Sequence, residues 1–324
     1  MTTEGTAGTG TLAQALAAGT VVLDGGLSSE LERSGHDLSG DLWSAALLRD
    51  APEAIARVHQ AFFEAGARVA TTASYQASFA GFAAAGLDRA ETERLLHLSV
   101  RLARNSADRA GRDAGPRWVA ASVGPYGAVL AGGEEYTGAY LTPDWSGRRG
   151  GGLSVDELRH FHRPRLHALA AAEPDVLALE TVPGLVEVEA LLAEVADLGV
   201  PAWLSLTTVT GGDGQVRTRL GEDAAEAFAQ ARDVAEIIAV GVNCTDPREV
   251  PAAVRVAARE SGKPVVVYPN SGESWDALAR SWRGDPAFAD EDVTGWVAAG
   301  ARLVGGCCRV GPEQVAAISR TLGH

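Results

Sequence analysis

Three cysteines are the residues best suited to chemistry in this chain, and two of them are adjacent. Cys307 and Cys308 lie in Gly305-Gly306-Cys307-Cys308-Arg309, and Cys244 ends Gly241-Val242-Asn243-Cys244. Each follows an apolar run with strand character, Ile237-Ile238-Ala239-Val240 or Leu303-Val304. All three thiols are therefore expected at the same ends of two strands of one parallel sheet. Three soft ligands at one rim, with no fourth, describe an open zinc site that keeps a position for substrate. The flanking glycines let the backbone turn sharply enough to bring both vicinal sulfurs to one point. Two other readings stay open at this stage. Cysteine is among the most buried residue types and packs as a small hydrophobe, and adjacent cysteines can form a strained disulfide.

The sulfurs can meet only if the fold brings Cys244 to the distant pair. Short apolar runs recur along the chain: Val21-Leu23, Val69-Thr72, Trp118-Val123, Val176-Leu179, Ala202-Leu206, Ile237-Val242, Pro264-Tyr268 and Ala301-Val304. Segments with helical patterning alternate with them. Pro52 to Ala65 has proline in the first turn and Ile55, Val58 and Phe62 on one face. A second runs from about Arg89 to Ala107. Ser154 with Glu157 forms a capping box for a third, in which Pro164 predicts a kink or break. Others cover Leu185 to Val195, the stretch from Asp223, Pro247 to Glu260, Asp290 to Gly300, and the stretch from Pro312. Strict alternation with near-continuous apolar strands predicts a single α/β domain over residues 1–324, a (β/α)8 barrel of the TIM type. A doubly wound sheet is the competing arrangement, and it gives Cys244 no reason to meet Cys307. Residues 1–10 read as a frayed Thr/Gly-rich tail, and the glycine-rich stretch 132–152 as a long functional or mobile loop.

In such a barrel the active site lies at the C-terminal strand ends. Those ends carry Asp24, Thr72 to Tyr75, Ser122, Glu180, Thr207, Asn243-Cys244, Tyr268 to Asn270 and Cys307-Cys308. Closure sets the first strand beside the eighth, so Asp24 is expected near the cysteine pair. Zinc held by three thiolates is net anionic. That suits activation of a substrate thiol, whose free pKa of about 8.5 leaves little thiolate at neutral pH. It suits hydrolysis less. Asp24 and Glu180 could hold an ammonium group, the alternative being that each caps the following helix. Tyr75, Trp43 and the loop aromatics Tyr136, Tyr140 and Trp145 could face a cationic methyl donor, with core packing the alternative for each. His160 and His162 point to different sides of one helix, and His59 and His97 sit on helices away from the rim.

A net charge of −14 disfavours nucleic acid and anionic membranes as partners. No apolar run approaches a membrane span, and three cysteines in 324 residues argue for a reducing, cytoplasmic setting. No phosphate loop, dinucleotide fingerprint or serine elbow is present.

The chain resembles the homocysteine S-methyltransferases. The resemblance is carried by Leu23-Asp24-Gly25-Gly26, Thr72-Ala73-Ser74-Tyr75-Gln76-Ala77-Ser78, Ser122-Val123-Gly124-Pro125-Tyr126-Gly127 and Leu179-Glu180-Thr181. It continues in Gly241-Val242-Asn243-Cys244, Tyr268-Pro269-Asn270-Ser271-Gly272-Glu273 and Gly305-Gly306-Cys307-Cys308-Arg309. It implies a zinc-bearing barrel with Cys244, Cys307 and Cys308 as ligands. Homocysteine would bind through its sulfur, with Asp24 and Glu180 near its polar end. Gly25, Ser74, Tyr75, Asn243, Tyr268 and Asn270 stand in the matching motifs and are expected to bind substrate. The Ala-Ser-Tyr-Gln-Ala and Pro-Asn-Ser-Gly-Glu stretches look most like the branch using S-methylmethionine, with S-adenosylmethionine a poorer donor. The betaine-using branch carries a C-terminal extension and the cobalamin-dependent enzymes further modules, neither of which is seen here. The stretch 142–152 is longer and richer in Gly and Arg than the family pattern, so donor preference depends on whether it folds over the rim. A monomer or small homo-oligomer is expected. Other donors, a non-catalytic thiol redox or metal-buffering barrel, and a zinc hydrolase are the competing functions.

Overall fold

Alternate residues of the short apolar runs are buried on opposite faces of one sheet, and this is what makes them strands. The computed structural model describes residues 10–38, 43–111, 115–130, 132–276, 281–284 and 289–324. Residues 1–9 of the expected tail and the side chain of Trp43 lie outside the described residues. The strands are β1 (Val21–Val22), β2 (Val69–Thr71), β3 (Trp118–Val123), β4 (Val176–Val182), β5 (Ala202–Leu206), β6 (Ile237–Asn243), β7 (Val265–Tyr268) and β8 (Ala301–Val304). All are parallel to their neighbours, in the order β1-β8-β7-β6-β5-β4-β3-β2. A parallel bridge between Leu23 and Val69 joins the two ends, supported by Arg68 N donating to Val22 O at 2.8 Å and Asp24 N donating to Val69 O at 3.1 Å. The expected (β/α)8 barrel is therefore the fold.

Side chains of one parity fill the barrel: Val21, Leu23, Val69, Trp118, Val176, Trp203, Val266, Tyr268 and Leu303. Those of the other parity, among them Val22, Val119, Leu177, Val265, Val267 and Val304, meet the helices outside. Both sheet faces are covered, hence the unbroken apolar runs. The floor of the barrel is closed by the helix Leu12–Ala18, absent from the sequence reading. Leu12 and Leu16 enter the interior cluster, and Trp118 Nε1 donates to Gly10 O at 3.1 Å.

The helices that follow the strands match the reading closely, as in Pro52–Glu64, Arg89–Arg109, Leu185–Val195 and Pro312–Thr321. Pro164 does not break its helix. The helix Val155–Ala171 runs through it unbroken, because the carbonyl that loses its N–H partner belongs to His160, which is exposed to water. The stretch 207–221 is a hairpin, Thr208–Thr210 against Val216–Thr218. The irregular segment before residue 290 contains a second hairpin, Ser274–Asp276 against Ser281–Arg283. The described residues contain no helix long and apolar enough to cross a membrane.

Candidate functional site

Cys244, Cys307 and Cys308 converge at the C-terminal mouth of the barrel, their sulfurs all within 4.8 Å of one another. Cys244 Sγ lies 2.7 Å from Cys307 Sγ, and Cys307 Sγ lies 4.0 Å from Cys308 Sγ. All three are free thiols. The backbone holds them there: Cys244 N donates to Tyr268 O at 3.3 Å and Cys307 N to Pro269 O at 2.7 Å. Cys308 N donates to Asn270 Oδ1 at 3.2 Å. Glycines permit the approach of the first and last loops, since a Cβ on Gly26 would stand 2.4 Å from Cys307 O and one on Gly305 2.5 Å from Asp24 O. Thr181, Cys244 and Arg309 have positive φ, at 61°, 49° and 68°. Strained backbone of this kind persists only where surrounding bonds over-determine it.

Burial beside like neighbours makes the three thiols unequal. Hydrogen bonds from Cys244 and Cys307 hold the Cys308 thiol well below its usual range. Its bond to Cys244, together with burial and the neighbouring sulfurs, pushes Cys307 up. One deprotonated sulfur held by two protonated ones is what such a cluster can sustain by itself. A bound cation removes that limit, because coordinated thiols lose their protons. Zinc–sulfur bonds of about 2.3 Å place tetrahedral sulfurs roughly 3.7 Å apart, a spacing these side chains reach by small rotations. The donor set therefore fits a soft divalent metal.

Two buried carboxyls stand beside the sulfurs. Asp24 accepts from Thr71 N at 2.6 Å and from Thr71 Oγ1 at 2.7 Å. Burial nevertheless lifts it to about 8, against the bonds from Thr71 and with a contribution from Glu180. Glu180 accepts from Ser122 Oγ and from the Tyr268 hydroxyl, and burial lifts it to about 7. Neither caps a helix: Leu27–Arg33 and Leu185–Val195 start at Gly26 and Gly184, without a side-chain cap. Two buried carboxyls within electrostatic reach of each other, with no basic side chain among the groups that shift either one, suit an incoming ammonium group.

The remaining expected residues separate by what they touch. Gly25 is a packing requirement, as a Cβ there would stand 2.3 Å from Val310 O. Ser74 Oγ donates to Ser122 O at 2.7 Å and so aligns β2 with β3. Asn243 is fully buried, and its amide is used on Thr181, accepting from Thr181 N at 2.8 Å and donating to Thr181 Oγ1 at 2.7 Å. Asn270 positions Cys308 through its backbone. Tyr268 accepts from Trp203 Nε1 at 2.9 Å and faces Glu180. Tyr75 lies over Gly124, where a Cβ would come within 2.6 Å of its ring, and its hydroxyl meets Thr181.

The stretch 132–152 is built, with only its first part at the site. A 3-10 turn, Glu134–Tyr136, brings Tyr136 Oη to 3.9 Å from Cys308 Sγ and packs against β4. Arg219, from the hairpin after β5, stacks on the Tyr136 ring at 5.9 Å and donates to Thr207 Oγ1 at 3.0 Å. Tyr140 turns away and is fully buried, its hydroxyl donating to Glu187. Trp145 packs in a satellite cluster with Leu141 and Leu158. Of the three loop aromatics, then, only Tyr136 reaches the sulfurs. Residues 142–152 fold back on the helix Val155–Ala171 through Arg148, which donates to Gly151 O at 2.8 Å and pairs with Glu157. Beneath the turn, His162 Nε2 and Glu187 Oε1 are 2.7 Å apart, Glu187 also accepts from Tyr126 N at 2.7 Å, and Arg165 donates to Gly124 O.

Sequence reasoning missed Glu135, Tyr136 as a sulfur neighbour, Thr181 and Arg219. Thr181 stands in the motif Leu179-Glu180-Thr181 and Tyr136 among the loop aromatics, so both were in view without these roles. Glu135 carried no signal, because its character comes from burial.

A parallel barrel with a soft-metal donor set at its catalytic mouth, flanked by two buried carboxyls, defines an enzyme scaffold built to bind a thiol-bearing amino acid. Residues 21–322 match the family model described as homocysteine S-methyltransferase. Homocysteine S-methyltransferase 1 of Brassica oleracea var. italica is 40% identical over 318 residues, 94% of each chain. Homocysteine S-methyltransferase YbgG of Bacillus subtilis (strain 168) is 40% identical over 314 residues, 93% of this chain and 95% of that one. The crystal structure of the homocysteine methyltransferase MmuM from Escherichia coli, in a metallated form, matches with a TM-score of 0.79 and 38% identity, covering 93% of this chain and 96% of that one. The chain belongs to the homocysteine S-methyltransferase family, as its motifs led us to expect, and is an enzyme of that class.

Proposed function

We propose that this enzyme, acting as a single domain in the cytoplasm as a monomer or small homo-oligomer, transfers a methyl group from a sulfonium donor, S-methylmethionine in preference to S-adenosylmethionine, to L-homocysteine, with zinc held by Cys244, Cys307 and Cys308. The observation that carries the reading is the meeting of three free thiols, all within 4.8 Å, beside two buried carboxyls. Cys244, Cys307 and Cys308 would hold the ion, which would lower the pKa of a substrate thiol at its open position and leave that sulfur electron-rich. Asp24 and Glu180 seat the homocysteine ammonium, and Thr71, Ser122 and Tyr268 hold those carboxyls in place. Asn270 fixes Cys308, and Asn243 fixes the strained Thr181 on which the Tyr75 hydroxyl rests. The donor enters from the side of Tyr75 and Tyr136, its methyl in line with the homocysteine sulfur. The bond from methyl to sulfonium sulfur breaks as the new carbon–sulfur bond forms, and the pair left on the donor sulfur makes a neutral thioether.

Homocysteine consumption is measured with S-methylmethionine, S-adenosylmethionine or betaine, on protein of known zinc content before and after chelation. We expect turnover fastest with S-methylmethionine, lost on chelation and restored by zinc. Full activity in zinc-free protein would overturn the metal assignment, and faster turnover with betaine the donor assignment.

A further inference from the structure

Glu135 lies in the 3-10 turn beside the sulfurs yet belongs to none of the groups described so far. Its side chain is buried, and Oε2 has no hydrogen-bond partner among the described residues. The turn lies directly on Gly127, where a Cβ would stand 2.6 Å from Glu135 N. No basic side chain is among the groups that shift Glu135: its neighbours Cys244 and Glu134 both push it up. Burial pushes Glu135 up to about 7, so it is poised between the two forms, and an incoming positive charge favours the carboxylate.

That partner is distinct from the homocysteine ammonium. Asp24 is held on Thr71 at the β1–β2 junction, whereas Glu135 sits in the 3-10 turn that carries Tyr136 to Cys308. Two anionic seats therefore flank the sulfurs. The second adjoins Tyr136, the next residue of the turn, and Tyr75, whose ring packs on Gly124 as Glu135 N packs on Gly127. A sulfonium has no N–H or O–H to donate, so charge and aromatic faces carry most of its recognition. A carboxylate lacking a hydrogen-bond donor, between two tyrosines and beside the sulfur cluster, offers both.

We propose that Glu135 is a specificity-determining residue that binds the positive sulfur of the methyl donor and so separates the cationic donor from its neutral thioether product. The assignment rests on the sulfonium-donor reading. The donor carries its full charge before transfer and none after it. The attraction is therefore greatest in the ground state and acts on donor binding and product release.

Methionine shares the ammonium and carboxylate of S-methylmethionine and lacks only the methyl and the charge, so the two ligands isolate the sulfonium. Calorimetric affinities for both are measured on zinc-loaded wild type and Glu135→Gln without homocysteine. The wild type is expected to favour S-methylmethionine over methionine by about tenfold or more, and Glu135→Gln to lose most of that preference. In steady state the variant should raise KM for S-methylmethionine by a similar factor, with kcat and the homocysteine KM within about twofold. An unchanged preference in Glu135→Gln, or equal weakening of both ligands, overturns the assignment. So does a wild type with no preference for the cation, a result that needs no variant to fold. Absence of wild-type turnover with any sulfonium would instead bring down the donor reading itself.

Discussion

At the scale of single residues, the cysteines were legible and the acids only in part. Each cysteine follows an apolar run, so its position at a strand end could be read directly, and sequential strand order then sets β6 and β8 on either side of β7, where Cys244 meets the pair. Asp24 and Glu180 were legible as strand-end acids. Asn243 stood in a motif, but its amide serves Thr181. Glu135 was illegible because a Glu-Glu-Tyr run in a glycine-rich stretch looks solvated until the turn buries it. The cysteines and Glu180 should separate by substitution. Cys244→Ala is expected to lose both bound metal and turnover. Glu180→Gln should keep the metal while raising the homocysteine KM by roughly 10- to 100-fold, the cost of removing one charge-assisted contact. Metal analysis beside steady-state kinetics checks both, and loss of metal in Glu180→Gln would contradict the separation.

At the scale of elements, the strands and the larger helices could be read because burial on both faces leaves runs of Val, Leu and Ala. The seven-residue helix Leu12–Ala18 was missed because it is too short to show a periodicity and is stable only through the barrel floor it covers. The stretch 132–152 defeated the reading because its order comes from distant partners. Tyr140 is tied to Glu187 on the helix Leu185–Val195, and Glu187 to His162 on Val155–Ala171. This buried network supports the turn that carries Glu135 and Tyr136. Tyr140→Phe leaves Glu187 Oε2 without its donor, and urea unfolding should show a loss of about 1–3 kcal/mol. The same variant should raise the donor KM and leave the homocysteine KM unchanged. The reverse pattern would show that the network supports the other half of the mouth.

At the scale of the whole molecule, the one-ring architecture was predictable from alternation alone, but the imbalance of charge inside it was not. His59 is fully buried on the helix Pro52–Glu64, with neither ring nitrogen partnered among the described residues. Burial holds it down to about 4. The unfolded chain therefore takes up this proton near pH 6.5 while the folded chain refuses it until about pH 4. The stability it supplies is present above pH 6.5 and lost as the pH falls toward 4. The buried carboxyls titrate with the opposite sign, so the effect is read as a difference between two proteins that share them. His59→Leu should gain about 2–3 kcal/mol on the wild type when urea unfolding is moved from pH 7 to pH 4.5. A constant difference would mean that His59 takes up its proton as readily in the folded chain as in the unfolded one.

The ring is thinnest where its ends join, at the single bridge from Leu23 to Val69. Asp24 crosses that junction with both carboxyl oxygens, one on Thr71 N and the other on Thr71 Oγ1. The group assigned to grip the amino acid is thus also the clasp of the hoop. Replacing Asp24 weakens a joint as well as a binding contact, whereas Glu180 is bonded to Ser122 and Tyr268, inside the ring and not across its junction.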